Sequence, residues 1–294
     1  MSKYSIPVDI FNPGQVFACL GFMEAADVLF GDIEGGFDWT KESDVRFVLC
    51  TASDKNPFEE VLGFLANAKV IPLVPKGYDE SPPSSALFSE TFPASKVVKK
   101  ADGEKKGQIT EAGLPCRLES NNQTLDFGHW ADSSSRDDFK QFAGKQSAYR
   151  TIIPPLLCEI KRSWNNKKLH LDKPFNEMMP IKKGKASFML DARAAWTPRD
   201  LGFSRDKQGY SLMASPIVEL LGAIGLNHAR PLVSKDKNVQ YGIWGAIVPP
   251  NLARPVLGGV DVGLPQRLFS FIRNTTGTEK GEYKQVTFSR EVNK

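Results

Sequence analysis

The chain has 294 residues, of which 41% are hydrophobic, 24% charged and 10% aromatic. That balance excludes collagen-like, coiled-coil and wholly disordered classes, and the length suffices to bury a substantial core in one large domain or two small ones. The formal net charge is +4, but residues 1–60 carry 4 Lys/Arg against 11 Asp/Glu, a balance of −7, which leaves +11 for residues 61–294. An acidic start and a basic remainder point to a polyanion partner on one side only, or to two solvated faces of opposite sign. No stretch approaches the roughly 18 apolar residues of a membrane span, and no basic-then-apolar leader opens the chain. The expected location is the cytoplasm. Cys19, Cys50, Cys116 and Cys158 form no CxxC pair. This spacing argues against a zinc ribbon or a disulfide framework, and Cys19 and Cys50, in apolar runs, read as small buried hydrophobes.

Ser5–Phe11 (SIPVDIF) reads as a strand. Asn12 then offers a helix cap with Pro13 at the first helical position. Apolar residues recur at helical spacing from Gln15 to Leu29, and Gly31 offers a stop. Two strand-like runs follow, FDW after Gly35-Gly36 and VRFVLCTA after Asp44. Asn56-Pro57 marks a second helix, with Phe58, Val61, Leu62 and Leu65 on one face. Lys69–Pro75 (KVIPLVP) reads as an edge strand, because two prolines cannot donate to a ladder. The order is strand, helix, strand, strand, helix, strand. It predicts a ferredoxin-like (RRM-like) βαββαβ unit over residues 1–75, an α+β arrangement used by RNA-recognition modules, enzymes and interaction domains alike.

Residues 76–120 break the pattern. They hold Pro82-Pro83-Ser84-Ser85 and five lysines between Lys96 and Lys106, and read as a long flexible insertion or ragged hairpin. Residues 121–294 form a second α+β unit with an antiparallel sheet, either packed with the first as one continuous domain or standing apart. Within it, Ser135 or Asp137 caps an expected helix from about Asp138 to Ile153, which Pro154-Pro155 would end or kink. Ser187–Arg193 (SFMLDAR) reads as a strand. Ala214–Leu226 reads as a helix with Ser215 as cap and Pro216 first. Gln240–Val248, Arg267–Arg273 and Tyr283–Val292 read as strands, the last two joined by NTTGTEKGE. No repeat with residue-level identity links the two halves.

Signs of catalysis are few. His129, His170 and His228 have neither HExxH nor HxH spacing, and packing or surface roles suit them best. There is no GxGxxG, no GKS/GKT loop and no GxSxG elbow. No spacing isolates a metal-binding pair of carboxylates. The chain therefore reads as non-enzymatic, with no cofactor and no metal, and the absence of metal-ligand spacing argues against a nuclease.

Arginine and aromatic residues in short polar motifs stand out instead. These are Gly128–Asp132 followed by Ser133–Arg136, Asp191–Arg199 (DARAAWTPR), and Leu226–Pro231 (LNHARP). Residues 140–168 add seven Lys/Arg, Lys140, Lys145, Arg150, Lys161, Arg162, Lys167 and Lys168, against Glu159 alone. Guanidinium forks clamp phosphates and aromatic faces stack on splayed bases. The candidate nucleic-acid-binding set is Arg136, Lys140, Lys145, Arg150, Arg193, Trp196, Arg199 and Arg230. Against that stands burial: Trp130 and Trp196 are more naturally core residues.

Four segments carry a resemblance to a known family. They are IPVDIFNPGQVFACLGFMEAADVLFGDIEGGFDW, HWADSSSRDDFKQFAGKQSA, DARAAWTPRDLGFS and ASPIVELLGAIGLNHARP, in order from Ile6 to about Phe271. They resemble the small CRISPR-associated subunit of type I-U (I-G) Cascade systems, a large-subunit-type (eight-type) component. Residues 76–120 contribute nothing to the likeness. The resemblance implies a subunit of a crRNA-guided DNA surveillance complex that contacts the flanking duplex motif (PAM), helps open the duplex, and recruits a separate helicase-nuclease. Implied partners are crRNA, target DNA and other Cascade subunits. The ferredoxin-like start also suits the backbone-type, RAMP-like RNA-binding subunit. A scaffold with protein contacts only is the reading from a different class. The resemblance transfers no catalytic residues.

Overall fold

The computed structural model describes residues 1–75, 78, 82–89, 98–99, 105–106, 113–130, 139, 146–181, 187–195, 211–234, 236, 238–278 and 281–292. The described part is α+β with several sheets. It opens with β1 (Ser2–Pro7), α1 (Pro13–Phe30), β2 (Glu34–Asp38), β3 (Arg46–Thr51), α2 (Pro57–Asn67) and β4 (Lys69–Pro75). Both expected caps are made: Asn12 accepts from the Gly14 N–H and Asn56 from the Phe58 N–H, each with proline next in line. Strand β1 ends earlier than expected. Beyond Pro7 the backbone turns, with Asp9 accepting from the N–H groups of Phe11 and Asn12.

Strands β1, β3 and β2 form an antiparallel sheet in that order. Strand β4 leaves it. It joins β5 (Leu87–Ser89), β8 (Cys116–Ser120) and β9 (Gln123–Phe127) in the order β5-β4-β8-β9, while the two-residue strands β6 (Val98–Lys99) and β7 (Lys105–Lys106) pair only with each other. This corrects two expectations. Strand β4 is internal, not an edge. Its prolines are tolerated because Lys69–Pro72 pairs with β8 and Leu73–Pro75 pairs with β5, so each proline needs one partner strand only. The irregular stretch also ends before residue 120, since Cys116–Ser120 is fully laddered to β9.

The second half contains a π-helical turn (Ala148–Ile152), α3 (Ile153–Asn165), β10 (Met179–Ile181), β11 (Leu212–Ala214), α4 (Pro216–His228), β12 (Leu232–Val233), β13 (Asn238–Trp244), α5 (Pro250–Leu257), β14 (Gln266–Ile272), β15 (Asn274–Thr278), β16 (Gly281–Gln285) and β17 (Arg290–Glu291). Pro154-Pro155 lies in the first turn of α3, where the preceding π-helical turn gives way to the α-helix. The first helical turn has no intrahelical partner for its N–H groups, so prolines there cost nothing in hydrogen bonds. The expected helix from Asp138 falls mostly outside the described residues. The run Tyr283–Val292 divides into β16 and β17. An antiparallel sheet β12-β13-β14-β17 forms as expected. From β11 to β14 the order strand, helix, strand, strand, helix, strand recurs, and in both halves the third strand, β3 or β13, is an internal strand of its sheet, although β11 pairs with β10 in a separate sheet.

Helices α1 and α4 are apolar on nearly every side, and almost all of both is buried. They pack backbone against backbone. A Cβ added to Gly21 would lie 1.9 Å from the Leu221 carbonyl oxygen, and one added to Gly225 would lie 2.2 Å from that of Phe17. Around the pair the core runs without a break from Ile6 to Val286. Phe17 meets Tyr241 edge-on at 5.7 Å, and Phe22 meets Phe58 at 5.0 Å. The two halves are stitched together by an isolated bridge between Gly35 and Val248, and by the indole N–H of Trp244 donating to the Gly35 carbonyl at 2.8 Å. Cys19 and Cys50 are buried as expected, and burial pushes both thiols up from their ordinary range. No helix among the described residues is long and apolar enough to cross a membrane. Overpacking a tight crossing costs about 1–3 kcal/mol or more. Gly21→Ala should therefore destabilise by at least that amount in urea melts, whereas Gly259→Ala, with open space around its Cβ but a φ of +84°, should cost about 1 kcal/mol.

Candidate nucleic-acid interface

Of the eight candidate residues, Arg136, Lys140, Lys145, Trp196 and Arg199 lie outside the described residues. Arg150, Arg193 and Arg230 lie within them, and the structure gives each a different setting. Arg150 is exposed on the π-helical turn before α3, its guanidinium 5.4 Å from the ring centre of Tyr149. Arg230 donates to the His129 carbonyl at 2.9 Å. Arg193 is a correction. Its Nε and Nη2 bind both carboxylate oxygens of Asp191, which is fully buried, and Nη2 also donates to the Phe175 carbonyl. A guanidinium locked in this way holds a loop and is not presented to phosphate. Trp130 is a core residue, edge-on to Phe127 and stacked on Phe188 at 5.1 Å. His129 is buried beside it. His228 lies 3.3 Å from Glu24, and burial lowers its affinity for a proton.

The clearest cationic surface is the second half of α3 and the turn after it. Leu156, Leu157, Ile160 and Ser163 fall at helical spacing and turn inward. Packing against α2, where Gly63 leaves room for the ring of Trp164, fixes the rotation of the helix. Lys161 and Arg162 are thereby turned to solvent. The chain then reverses at Lys167, with a φ of 53°, while the N–H groups of Lys168 and Leu169 return to the Ser163 carbonyl. Lys167 and Lys168 are exposed as well. Arg162 pairs with Glu159 at 2.5 Å, whereas Lys161, Lys167 and Lys168 enter no ion pair among the described residues. Cations at a helix C-terminus also meet the negative end of the helix dipole. These lysines appeared in the sequence as part of a charge run. Their exposure follows from the inward stripe of α3 for Lys161 and from the turn after the helix for Lys167 and Lys168.

The sheet tells against stacking. The face of β1-β3-β2 turned from the core carries Lys3, Ser5, Val48 and Gly36, and among the described residues these strands place no aromatic there. Base stacking on a sheet needs such rings. The segment Gly245–Ile247 also lies over this face, since a Cβ on Gly36 would be 2.3 Å from the Ala246 carbonyl oxygen.

Asp191 belongs to a buried polar hub. Asn12, the α1 cap, donates to Asp191 at 2.9 Å and accepts from the Ala192 N–H, and Asp191 also accepts the Ser215 N–H at the start of α4. Glu219, one turn into α4, accepts from the N–H groups of Phe188, Leu190 and Asp191 and from the Ser187 hydroxyl. Ser187–Arg193 is therefore not a strand. Its donors go to a carboxylate instead of a neighbouring ladder, and only Ala192–Ala194 is regular, as one 3-10 turn. Burial pushes the Glu219 carboxyl up from 4.5 to about 7, against the pull of the N–H bonds from Asp191 and Phe188. The folded chain thus holds this proton more tightly than the unfolded chain. The group's stabilising contribution is full below pH 4.5 and is lost as pH rises through about 7. Glu219→Gln should remove that decline from the curve of stability against pH, measured by urea melts between pH 4.5 and 8. An unchanged slope in the variant would rule the assignment out.

Among the described residues no group of three or more His, Cys, Asp or Glu side chains is placed to hold a metal ion. No protein-family model matches the chain, and neither a curated protein nor a solved structure matches it.

Proposed function

We propose that the chain is a non-catalytic subunit of a crRNA-guided type I CRISPR (Cascade) DNA surveillance complex, of the I-U (I-G) kind, that grips nucleic-acid backbone. In this role it helps recognise the flanking duplex motif (PAM) and open the duplex beside it, in the cytoplasm, alongside other Cascade subunits and a recruited helicase-nuclease. The observation that carries the reading is the exposed set Lys161, Lys167 and Lys168 at and just beyond the C-terminal end of α3, which enter no ion pair among the described residues, with Arg150 exposed on the π-helical turn that precedes the helix. Lysine is a point charge on a flexible stem, suited to phosphate contact without base selection. The N-terminal unit is, in this reading, a ferredoxin-like fold whose fourth strand has been drawn into the neighbouring sheet.

A second reading, the backbone-type RAMP-like RNA-binding subunit, is favoured by the recurrence of the strand–helix–strand–strand–helix–strand order in both halves. The outer face of β1-β3-β2, crossed by Gly245–Ile247 and given no aromatic by its own strands, tells against it. Salt separates both from a scaffold, because each phosphate contact contributes about 0.9 to the slope of log affinity against log salt on duplex DNA. The variant Lys161→Glu, Lys167→Glu, Lys168→Glu should bind duplex DNA at least ten times more weakly at low salt, with a slope shallower by about 2–3. Parent and variant curves that superimpose would exclude this surface. A parent with no salt-dependent binding to duplex DNA or RNA would leave the scaffold.

A further inference from the structure

The turn between β1 and α1 lines a cleft of about 520 Å³, a size that suits a small organic ligand. The buried part of its lining is apolar and includes Val8, Val45 and Phe175. Phe11, 43% exposed, lines it too, with its ring edge-on to Phe269 at 5.5 Å. Charges of both signs complete the lining, Lys173 with Asp9, Glu42 and Asp44. Asp44 lies 3.5 Å from Arg46 and Glu42 3.9 Å from Arg267, so the cleft is not a bare acidic cluster.

Gln15 sets the chemistry of this cleft. It stands three residues after the Asn12 cap, where a glutamine ordinarily returns to the N–H of the cap. The Asn12 N–H goes instead to the Asp9 carbonyl, and Gln15 Oε1 accepts from the Asp9 N–H at 2.9 Å. The reverse orientation of the amide would set donor against donor. Nε2 is therefore the group left over, and it has no partner among the described residues although Gln15 is only 6% exposed and lines the cleft. A buried donor without an acceptor is costly, and a ligand in the cleft would supply one. Asp9 is also half used: Oδ1 accepts from the Phe11 N–H at 3.0 Å, and Oδ2 has no partner among the described residues. An anion on Nε2 would stand beside the Asp9 carboxylate, and a cation on Asp9 would meet an N–H donor. A neutral group that brings an oxygen to one and N–H groups to the other satisfies both.

We infer that this cleft is a binding site for a guanine base, with O6 on Gln15 Nε2, N1–H and the 2-amino group on Asp9, and the ring against Phe11. Among the bases guanine alone sets a keto oxygen beside two N–H donors on one edge, and planar bases stack on aromatic rings. The inference goes beyond the backbone grip assigned to α3 and does not rest on it.

The test titrates the isotopically labelled full chain with guanosine, adenosine and uridine, which carry no phosphate and so do not report on the lysines of α3. Guanosine should shift resonances of residues 7–15 and 173–176, and the other two nucleosides should bind at least about tenfold more weakly. Gln15→Glu keeps the acceptor for the Asp9 N–H and removes the donor; Asp9→Asn keeps an acceptor for the Phe11 N–H and removes the carboxylate. Each should weaken guanosine at least about tenfold with the thermal midpoint unchanged, and Phe11→Leu at least about fivefold. No binding, shifts that map elsewhere, equal binding of the three nucleosides, or folded variants that bind like the parent would each overturn the inference. A single-stranded oligoadenylate with one central guanine separates the sources of the base: the same shifts assign a base within a strand, and their absence beside guanosine binding assigns the free nucleoside.

Discussion

The fold depends on one close approach, the crossing of α1 and α4 at Gly21 and Gly225, where each helix backbone meets a carbonyl of the other. Helices this near leave no room for a side chain between them, and their apolar surfaces are used on all sides by the surrounding layers. The crossing also brings two helix starts together. Asn12 and Ser215 each cap their own helix, on the N–H groups of Gly14 and Val218, and Asp191 then ties the two caps together by accepting from the Asn12 amide and the Ser215 N–H. The hub is polar because two helix N-termini converge where water is excluded. Its carboxylates are tolerated because those termini and the clasped loop supply donors.

What could be read from the sequence was whatever is decided within a few residues. The caps at Asn12, Asn56 and Ser215, each followed by proline, act on N–H groups two or three positions away, and the helices begin there. Segments whose partners lie far along the chain were misread. Ser187–Arg193 has the alternation of a strand, but its hydrogen-bond acceptor is Glu219, about thirty residues onward, and no local pattern encodes that. Pro154-Pro155 is a stop inside a helix and a start at its edge, and the local sequence is the same in both cases. Strand β4 looked like an edge because a proline cannot serve two neighbours, yet its neighbours divide the strand between them.

The same distinction governs the site. Arg193 sits in a polar motif beside Trp196 and was a natural candidate for phosphate, but its motif also contains the carboxylate that captures it two residues earlier. The lysines of α3 stood in an undifferentiated charge run. Lys161 faces out because Leu156, Ile160 and Ser163 face inward, and Lys167 and Lys168 because the chain reverses just after the helix.

The division of labour between the two cationic residue types bears on mechanism. Among the described residues, Arg46, Arg117, Arg162, Arg193, Arg254 and Arg267 all enter ion pairs, and four of these grip both oxygens of one carboxylate. The planar forks of those four are thus committed to internal geometry, while Lys161, Lys167 and Lys168, with Arg150, stand in solvent. Reading a base edge in the major groove favours a rigid two-pronged donor; following a backbone needs only positive charge with reach. A surface made mostly of lysine therefore suits a subunit that holds a strand in place without selecting its sequence. In the proposed complex that selection belongs to pairing with the guide.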